Sequence, residues 1–131
     1  MEDQRSKVLV VDDDDLILER LCRVLTPAGY KVQTASDGLN AVRRMEETRF
    51  EVVLTDCCMP GMDGLELLAV ICERWPDTRV VILSGISRVA TSQLALQKGA
   101  YAWLSKPCKA AHLLETMEAA VLTGGPSSHG T

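Results

Sequence analysis

Asp12 and Asp13 follow directly on the apolar run Val8-Leu9-Val10-Val11, and Asp56 closes the run Val52-Val53-Leu54-Thr55. Aspartate is depleted from β-strands, so carboxylates at the ends of β-branched runs call for a reason. Carboxylates drawn together repel and raise at least one pKa, unless a hard divalent cation joins them. Mg²⁺ suits such a set, being content with one or two carboxylates, a carbonyl and several waters. A further run, Arg79-Val80-Val81-Ile82-Leu83, ends in Ser84-Gly85, and Lys106-Pro107 follows Tyr101-Ala102-Trp103-Leu104. A hydroxyl donor and an ammonium beside a divalent cation can hold a phosphoryl group, because phosphoryl transfer is catalysed mainly by positioning and charge neutralisation.

Taken singly, each of these residues has a plainer explanation. Asp14 and Asp15 fit N-capping and dipole-matched acids at the start of a helix. Ser84 alone reads as a turn residue and Lys106 alone as a solvated lysine. Asp56 resists such a reading, because a carboxylate after Val52-Val53-Leu54 sits at the rim of the most central strand. The joint pattern decides, since four crossovers would have to misplace polar residues at one edge by accident.

The elements that must position these groups are legible. The five β-branched runs begin 20 to 28 residues apart, at Val8, Lys31, Glu51, Arg79 and Tyr101. Between and after them, apolar residues recur at helical spacing: Leu18, Leu21, Cys22 and Leu25; Val42 and Met45; Leu67, Leu68 and Ile71; Leu94 and Ala95; Leu113, Leu114, Met117 and Val121. Gly29 and Gly99 close the first and fourth helical patterns, and Asp63-Gly64-Leu65-Glu66 reads as a capping box opening the third. Crossovers of this length are helices, so neighbouring strands are parallel. The pattern predicts a doubly wound (βα)5 three-layer α/β sandwich. The first, third and fourth runs are nearly continuously apolar, as strands covered on both faces are, whereas Lys31-Val32-Gln33-Thr34 alternates like an edge strand. Strand order 2-1-3-4-5, the flavodoxin-like arrangement, fits best and places the switch point between strands 1 and 3, where ligands bind in open α/β sheets. Asp12, Asp13 and Asp56 converge there.

Composition narrows the classes further. The 131 residues suffice for one domain: residues 1–6 as an extension, 7–122 as the domain and 123–131, rich in Gly, Pro and Ser, as a flexible tail or linker start. The longest apolar stretch, Leu67 to Cys72, is far short of a membrane span. The amino terminus lacks the pattern of a signal peptide, so a cytoplasmic location is expected. Net charge is −4, residues 1–65 hold 13 of the 18 acids, and no basic stripe is present; direct nucleic-acid binding by this chain is not expected. The five cysteines show no CxxC spacing and read mostly as small, reduced core residues.

The pieces VLVVDDDD (8–15), VVLTDCCMPGMDG (52–64), VVILSG (80–85) and GAYAWLSKP (99–107) resemble, in order and spacing, the receiver domain of two-component response regulators. The likeness spans about residues 7–122. The resemblance implies that Asp56 is the phosphoacceptor, Asp13 a direct Mg²⁺ ligand, Asp12 a ligand mostly through water, and the Cys58 backbone carbonyl a further ligand. It makes Ser84 the hydroxyl that moves to meet the phosphoryl group, Lys106 its cationic partner, and Trp103 the aromatic switch. It also implies a cis peptide bond at Lys106-Pro107. Trp103 stands where Tyr or Phe is commoner, and bulky indole has fewer rotamers, so a partial switch is expected. Cys108 stands where Phe is frequent. Cys57 and Cys58 are unusual after a phosphoacceptor; Cys57 reads as a core residue and Cys58 as a tolerated one.

The function so implied is that of a signalling domain, not an enzyme, which assists its own phosphorylation and dephosphorylation. A sensor histidine kinase or phosphotransfer protein docks at helix 1 and supplies the phosphoryl group. A downstream output domain or protein reads the helix 4, strand 5, helix 5 face, and a phosphorylation-linked homodimer is among the outputs allowed. Two other readings stay open. Asp12-Asp13-Asp14 contains the D-x-D of Mg²⁺-dependent phosphohydrolases of the haloacid dehalogenase type, in which Asp12 rather than Asp56 would carry the phosphoryl group; their later acidic motif is absent. A pseudo-receiver scaffold, working without phosphorylation, would fail to bind Mg²⁺.

Overall fold

The computed structural model describes residues 5–85 and 89–123. Five strands alternate with five helices: β1 (Lys7–Val11), α1 (Asp15–Leu25), β2 (Lys31–Ala35), α2 (Gly38–Glu47), β3 (Val52–Asp56), α3 (Gly64–Arg74), β4 (Arg79–Ser84), α4 (Val89–Gln97), β5 (Ala102–Ser105) and α5 (Ala110–Thr123). All strand pairs are parallel, in the order β2-β1-β3-β4-β5. This is the flavodoxin-like (βα)5 arrangement expected from the spacing of the runs. Of the expected extension at 1–6 and tail at 123–131, residues 1–4 and 124–131 lie outside the described residues, and Thr123 ends α5.

The period-2 alternation of each central strand divides the core into two apolar layers. Leu9, Val11, Val53, Val80 and Ile82 face α2, α3 and α4, which contribute Ala41, Met45, Leu67, Leu68, Ile71 and Ala95. Val8, Val10, Val52, Leu54, Val81 and Leu83 face α1 and α5, which contribute Leu18, Leu21, Leu25, Leu113 and Met117. Both faces of β1, β3 and β4 are thus covered, which is why their sequences read as continuous apolar runs.

Capping fixes where the helices begin. The Asp14 side chain accepts from the Leu16 amide at 2.9 Å and the Asp37 side chain from the Asn40 amide at 2.8 Å. Asp63 and Glu66 form the reciprocal capping box read in the sequence, at 2.9 and 3.1 Å. Gly29 and Gly99 adopt φ of 102° and 112°, conformations that end the turns after α1 and α4 at no steric cost.

Three details depart from the sequence pattern. β3 extends to Asp56 itself, because the strand pairs with β4 through Asp56 and Leu83. Leu94, expected on the buried side of α4, is 41% exposed, and Ala95 is the residue that packs inward. Among the cysteines only Cys57 is fully buried; Cys22, Cys72 and Cys108 are half-buried and Cys58 is exposed.

Burial sets the stability cost of truncation. Leu54, 1% exposed on the central strand, should lose about 2–5 kcal/mol on Leu54→Ala through the cavity it leaves, whereas Leu94→Ala should stay within about 0.5 kcal/mol. Urea unfolding of both variants checks this; equal losses would contradict the two-layer core.

Candidate functional site

The strand register brings the acidic residues together. Val11 pairs with Thr55, so Asp12 leaves β1 beside Asp56 at the end of β3, at the point where chain order reverses. One oxygen from each of Asp12, Asp13 and Asp56 lies within 4.8 Å of the others. Asp12 is only 2% exposed, Asp56 is half-buried and Asp13 is open to solvent. From the β5–α5 connection Lys106 reaches in, its Nζ 3.2 Å from Asp12 Oδ2 and 3.4 Å from Asp56 Oδ1. The Lys106 amide donates to the Ser84 carbonyl at 2.8 Å, which ties the end of β4 to this lysine. The Lys106–Pro107 peptide bond is cis.

Charge balance explains the titration of the site. Burial pushes the Asp12 carboxyl above its ordinary value, although the Asp14 amide, 2.9 Å from Oδ1, and Lys106 both pull it down. Burial would lower the Lys106 ammonium, but Asp12 and Asp56 hold it above its ordinary value. Both groups therefore resist losing a proton. The causes differ, burial for Asp12 and the two neighbouring carboxylates for Lys106, but among the described residues three carboxylates face one ammonium, which leaves an excess of negative charge. A hard, oxygen-loving divalent cation matches that excess in charge and in donor type, so the residues present fit Mg²⁺.

The remaining predicted residues stand around this cluster without all joining it. Ser84 is buried at the end of β4, on the same face as Ile82 two residues earlier. Trp103 pairs in register with Ile82 and packs against the α2–α3–α4 layer. It is a neighbour of the site along the sheet and no member of the carboxylate cluster. Cys58 exposes its side chain in the loop after β3. Burial, with Cys58 and nearby acids adding to it, pushes the Cys57 thiol up to about 11.

Two contributors escaped the sequence reading. The Asp14 amide holds Asp12 while the Asp14 side chain caps α1, so one residue orients a site carboxylate and starts a helix. Gly64 packs on the end of β3: a Cβ there would lie 2.2 Å from the Asp56 carbonyl oxygen and 2.8 Å from the Cys57 Cα. The Asp63-Gly64 pair was visible as a cap, but only the folded chain shows what the missing side chain permits.

The family model of the response regulator receiver domain matches residues 8–118. The chain belongs to the response regulator receiver family. It is 33% identical over 115 residues to the chemotaxis protein CheY of Listeria monocytogenes, covering 87% of this chain and 97% of that protein. It is 35% identical over 122 residues to the transcriptional regulatory protein PrrA of Mycobacterium leprae, covering 93% of this chain and 52% of PrrA. The chain thus spans about half the length of that regulator. Among solved structures, the CheX–CheY–BeF3–Mg²⁺ complex of Borrelia burgdorferi superposes with a TM-score of 0.83 at 30% identity, covering 87% of each chain. Receiver domains are signalling domains that pair with histidine kinases and output domains, and they generally bind Mg²⁺. Among the described residues no helix is long and apolar enough to cross a membrane.

The raised Asp12 value sets a sign for pH dependence. A carboxyl whose folded pKa lies above its unfolded value of 3.8 contributes stability below that pH and loses it as pH rises through the folded value. In metal-free protein, Asp12→Asn should therefore gain on the wild type as pH is raised from about 3 to about 7. Urea midpoints measured across this range check it, and a difference that stays flat would mean that Asp12 ionisation carries no such cost.

Proposed function

We propose that this receiver accepts a phosphoryl group on Asp56 from the phosphohistidine of a sensor histidine kinase or phosphotransfer protein, in a Mg²⁺-dependent reaction in the cytoplasm. The observation that carries the reading is the contact of Lys106 Nζ with Asp56 Oδ1 at 3.4 Å inside a cluster of three carboxylates. In the transfer, a carboxylate oxygen of Asp56 forms the new bond to phosphorus while the phosphorus–nitrogen bond of the donor breaks and the imidazole leaves with its electron pair. Lys106 pairs with the incoming phosphoryl oxygens, and the Ser84 hydroxyl donates to another. Asp12, Asp13, Asp56 and the Cys58 carbonyl would hold Mg²⁺. Held by these groups, Mg²⁺ would supply charge neutralisation for the phosphoryl oxygens. BeF3 in the Borrelia complex is a chemical stand-in for a phosphoryl group, and that relative binds it together with Mg²⁺.

Docking of the donor at α1 is supported by a groove of 370 Å³ beside Lys106, lined by Ile17, Leu21, Leu83, Pro107 and Leu113. Leu16, 74% exposed on the same helix, adds apolar surface. On the output side, α4 exposes Leu94 and Leu96, which supports the α4–β5–α5 face as the one a partner, an output domain or a second copy reads. No nucleic-acid contact by this chain is part of the proposal.

Incubation with Mg²⁺ and acetyl phosphate, followed by intact mass and site mapping, should give one acid- and base-labile phosphoryl group at Asp56, absent with chelator and in Asp56→Asn. Label on Asp12 would favour the phosphohydrolase reading, and a chain that neither binds Mg²⁺ nor gains label would favour the scaffold.

Mg²⁺ bound only by the folded site should stabilise the protein by about 2.7 kcal/mol at a hundredfold excess over its dissociation constant. Asp13→Ala relieves crowding, so its metal-free stability should equal or exceed that of wild type, while the Mg²⁺ increment largely disappears. Thermal melts that show a wild-type Mg²⁺ response in Asp13→Ala would contradict Asp13 as a ligand.

Trp103 is positioned to report the switch, because Trp75 caps α3 at the far edge of the sheet under the Arg74 guanidinium, 4.4 Å from its ring centroid. In Trp75→Phe protein a stable phosphoryl mimic should change Trp103 emission partially, as expected where each off-rotamer indole placement costs about 0.5–1.5 kcal/mol. An unchanged spectrum with mimic bound would make Trp103 a fixed packing residue.

A further inference from the structure

The groove between α1, the end of β4 and the start of α5 reaches the core. Leu21, Leu83 and Leu113 line it and belong to the apolar layer of α1 and α5, at 7, 5 and 2% exposed. Ile17 and Cys108 line it as well and pack against the same layer. Its 370 Å³ stand at the small end of the roughly 300–1,000 Å³ that ligand pockets span, room for a body of one or two rings. Cys108, standing where Phe is frequent in receivers, takes up little of that space.

The charges at this groove are of one sign. Arg20 and Lys106 line it and no carboxylate does. Lys106 is committed to Asp12 and Asp56. Arg20, exposed on α1, has no such commitment. The residues three and four positions from it along the helix, Leu16, Ile17, Arg23 and Val24, include no acid. The adjacent acid, Glu19, pairs with Arg23. Among the described residues the Arg20 side chain makes no hydrogen bond or ion pair. An apolar space therefore ends at one spare guanidinium, whose planar fork matches a carboxylate.

We propose that this groove binds a small arylalkyl carboxylate, with the ring among Ile17, Leu21, Leu83 and Leu113 and the carboxylate on Arg20. A rigid ring fills such a space with little conformational freedom to lose. A single negative charge matches the single uncommitted cation, whereas a doubly charged phosphate ester would leave one charge unpaired beside apolar side chains. The site does not rest on phosphorylation of Asp56. It adds a small-molecule ligand to a surface discussed above only as a place for a protein donor.

The test titrates indole-3-acetate into the isotope-labelled full chain and follows the amide signals by NMR. The shifts should saturate with a dissociation constant of about 1 mM or below, and should concentrate on α1 from Ile17 to Leu21, on Leu83, on Cys108 and on Leu113. Indole-3-acetamide keeps the ring and loses the charge, so it should bind about 10-fold more weakly. Arg20→Gln should remove that difference, and Ile17→Trp, which fills the groove, should lose both ligands. Bound probe should also slow alkylation of Cys108 by iodoacetamide while the exposed Cys58 reacts as before. Should Ile17→Trp not fold, Arg20→Gln and the protection of Cys108 carry the test. Shifts that never saturate, acid and amide bound equally by the wild type, or a Cys108 that the probe leaves unprotected would each overturn the inference. A groove that takes neither compound is a surface for proteins alone, which overturns it too. Failure of Asp56 to take label under acetyl phosphate overturns the preceding reading and leaves this site standing.

Discussion

Three carboxylates held within 4.8 Å of one another, faced by the single ammonium of Lys106, are the constraint on which the rest of the chain depends. In water such groups would separate. Here the hydrogen-bonded ladder of β1 and β3 and the apolar layers on both faces fix the strand ends, so the repulsion cannot relax by movement. Burial raises the proton affinity of Asp12, and Asp12 and Asp56 together raise that of Lys106. A site with an excess of negative charge rewards an added cation, and a cation in turn makes room for an anionic group. The stability of the sheet is thus what lets the rim stay electrostatically unsatisfied.

The loop between β3 and α3 is clamped to keep that rim in place. Gly64 lets the start of α3 lie against the Asp56 carbonyl, and Gly38 lets the start of α2 lie against Met62, where a Cβ would come within 2.7 Å. The capping box at Asp63 and Glu66 holds the same loop from its far end. The opposite edge of the sheet carries ordinary surface ion pairs, Arg74 with Glu46 and Arg49 with Asp77, of the exposed kind that contribute little. Chemistry and packing constraint concentrate at one edge.

The route outward from the site is lightly held. Ser84 and Trp103 share a face of β4 and β5, and the helix that covers it, α4, buries Ala95 alone among the residues from Thr91 to Gln97. Elements with so little buried surface lie at the low-stability end of a fold. A small displacement at the rim therefore meets less resistance toward α4 than toward α3, which buries Leu67, Leu68 and Ile71 completely.

Strand order, helix placement and the switch point were legible in the sequence because they depend on local periodicity and chain length: the apolar runs at 8–11, 52–55 and 79–83 report coverage on both faces, and crossover length compels parallel pairing. The family, too, was legible, carried by Asp12, Asp13, Asp56, Ser84 and Lys106 at the run ends. What the sequence left open were facts about close approach. That Asp14 serves both Asp12 and α1, that Gly64 touches the Asp56 carbonyl, that Cys57 is buried while Cys58 is exposed, and that Ala95 rather than Leu94 packs inward all depend on how helices seat on the sheet. Residue pattern specifies which face of an element is apolar, but the rotation and depth at which that face settles are fixed only when its neighbours across the chain are in contact with it.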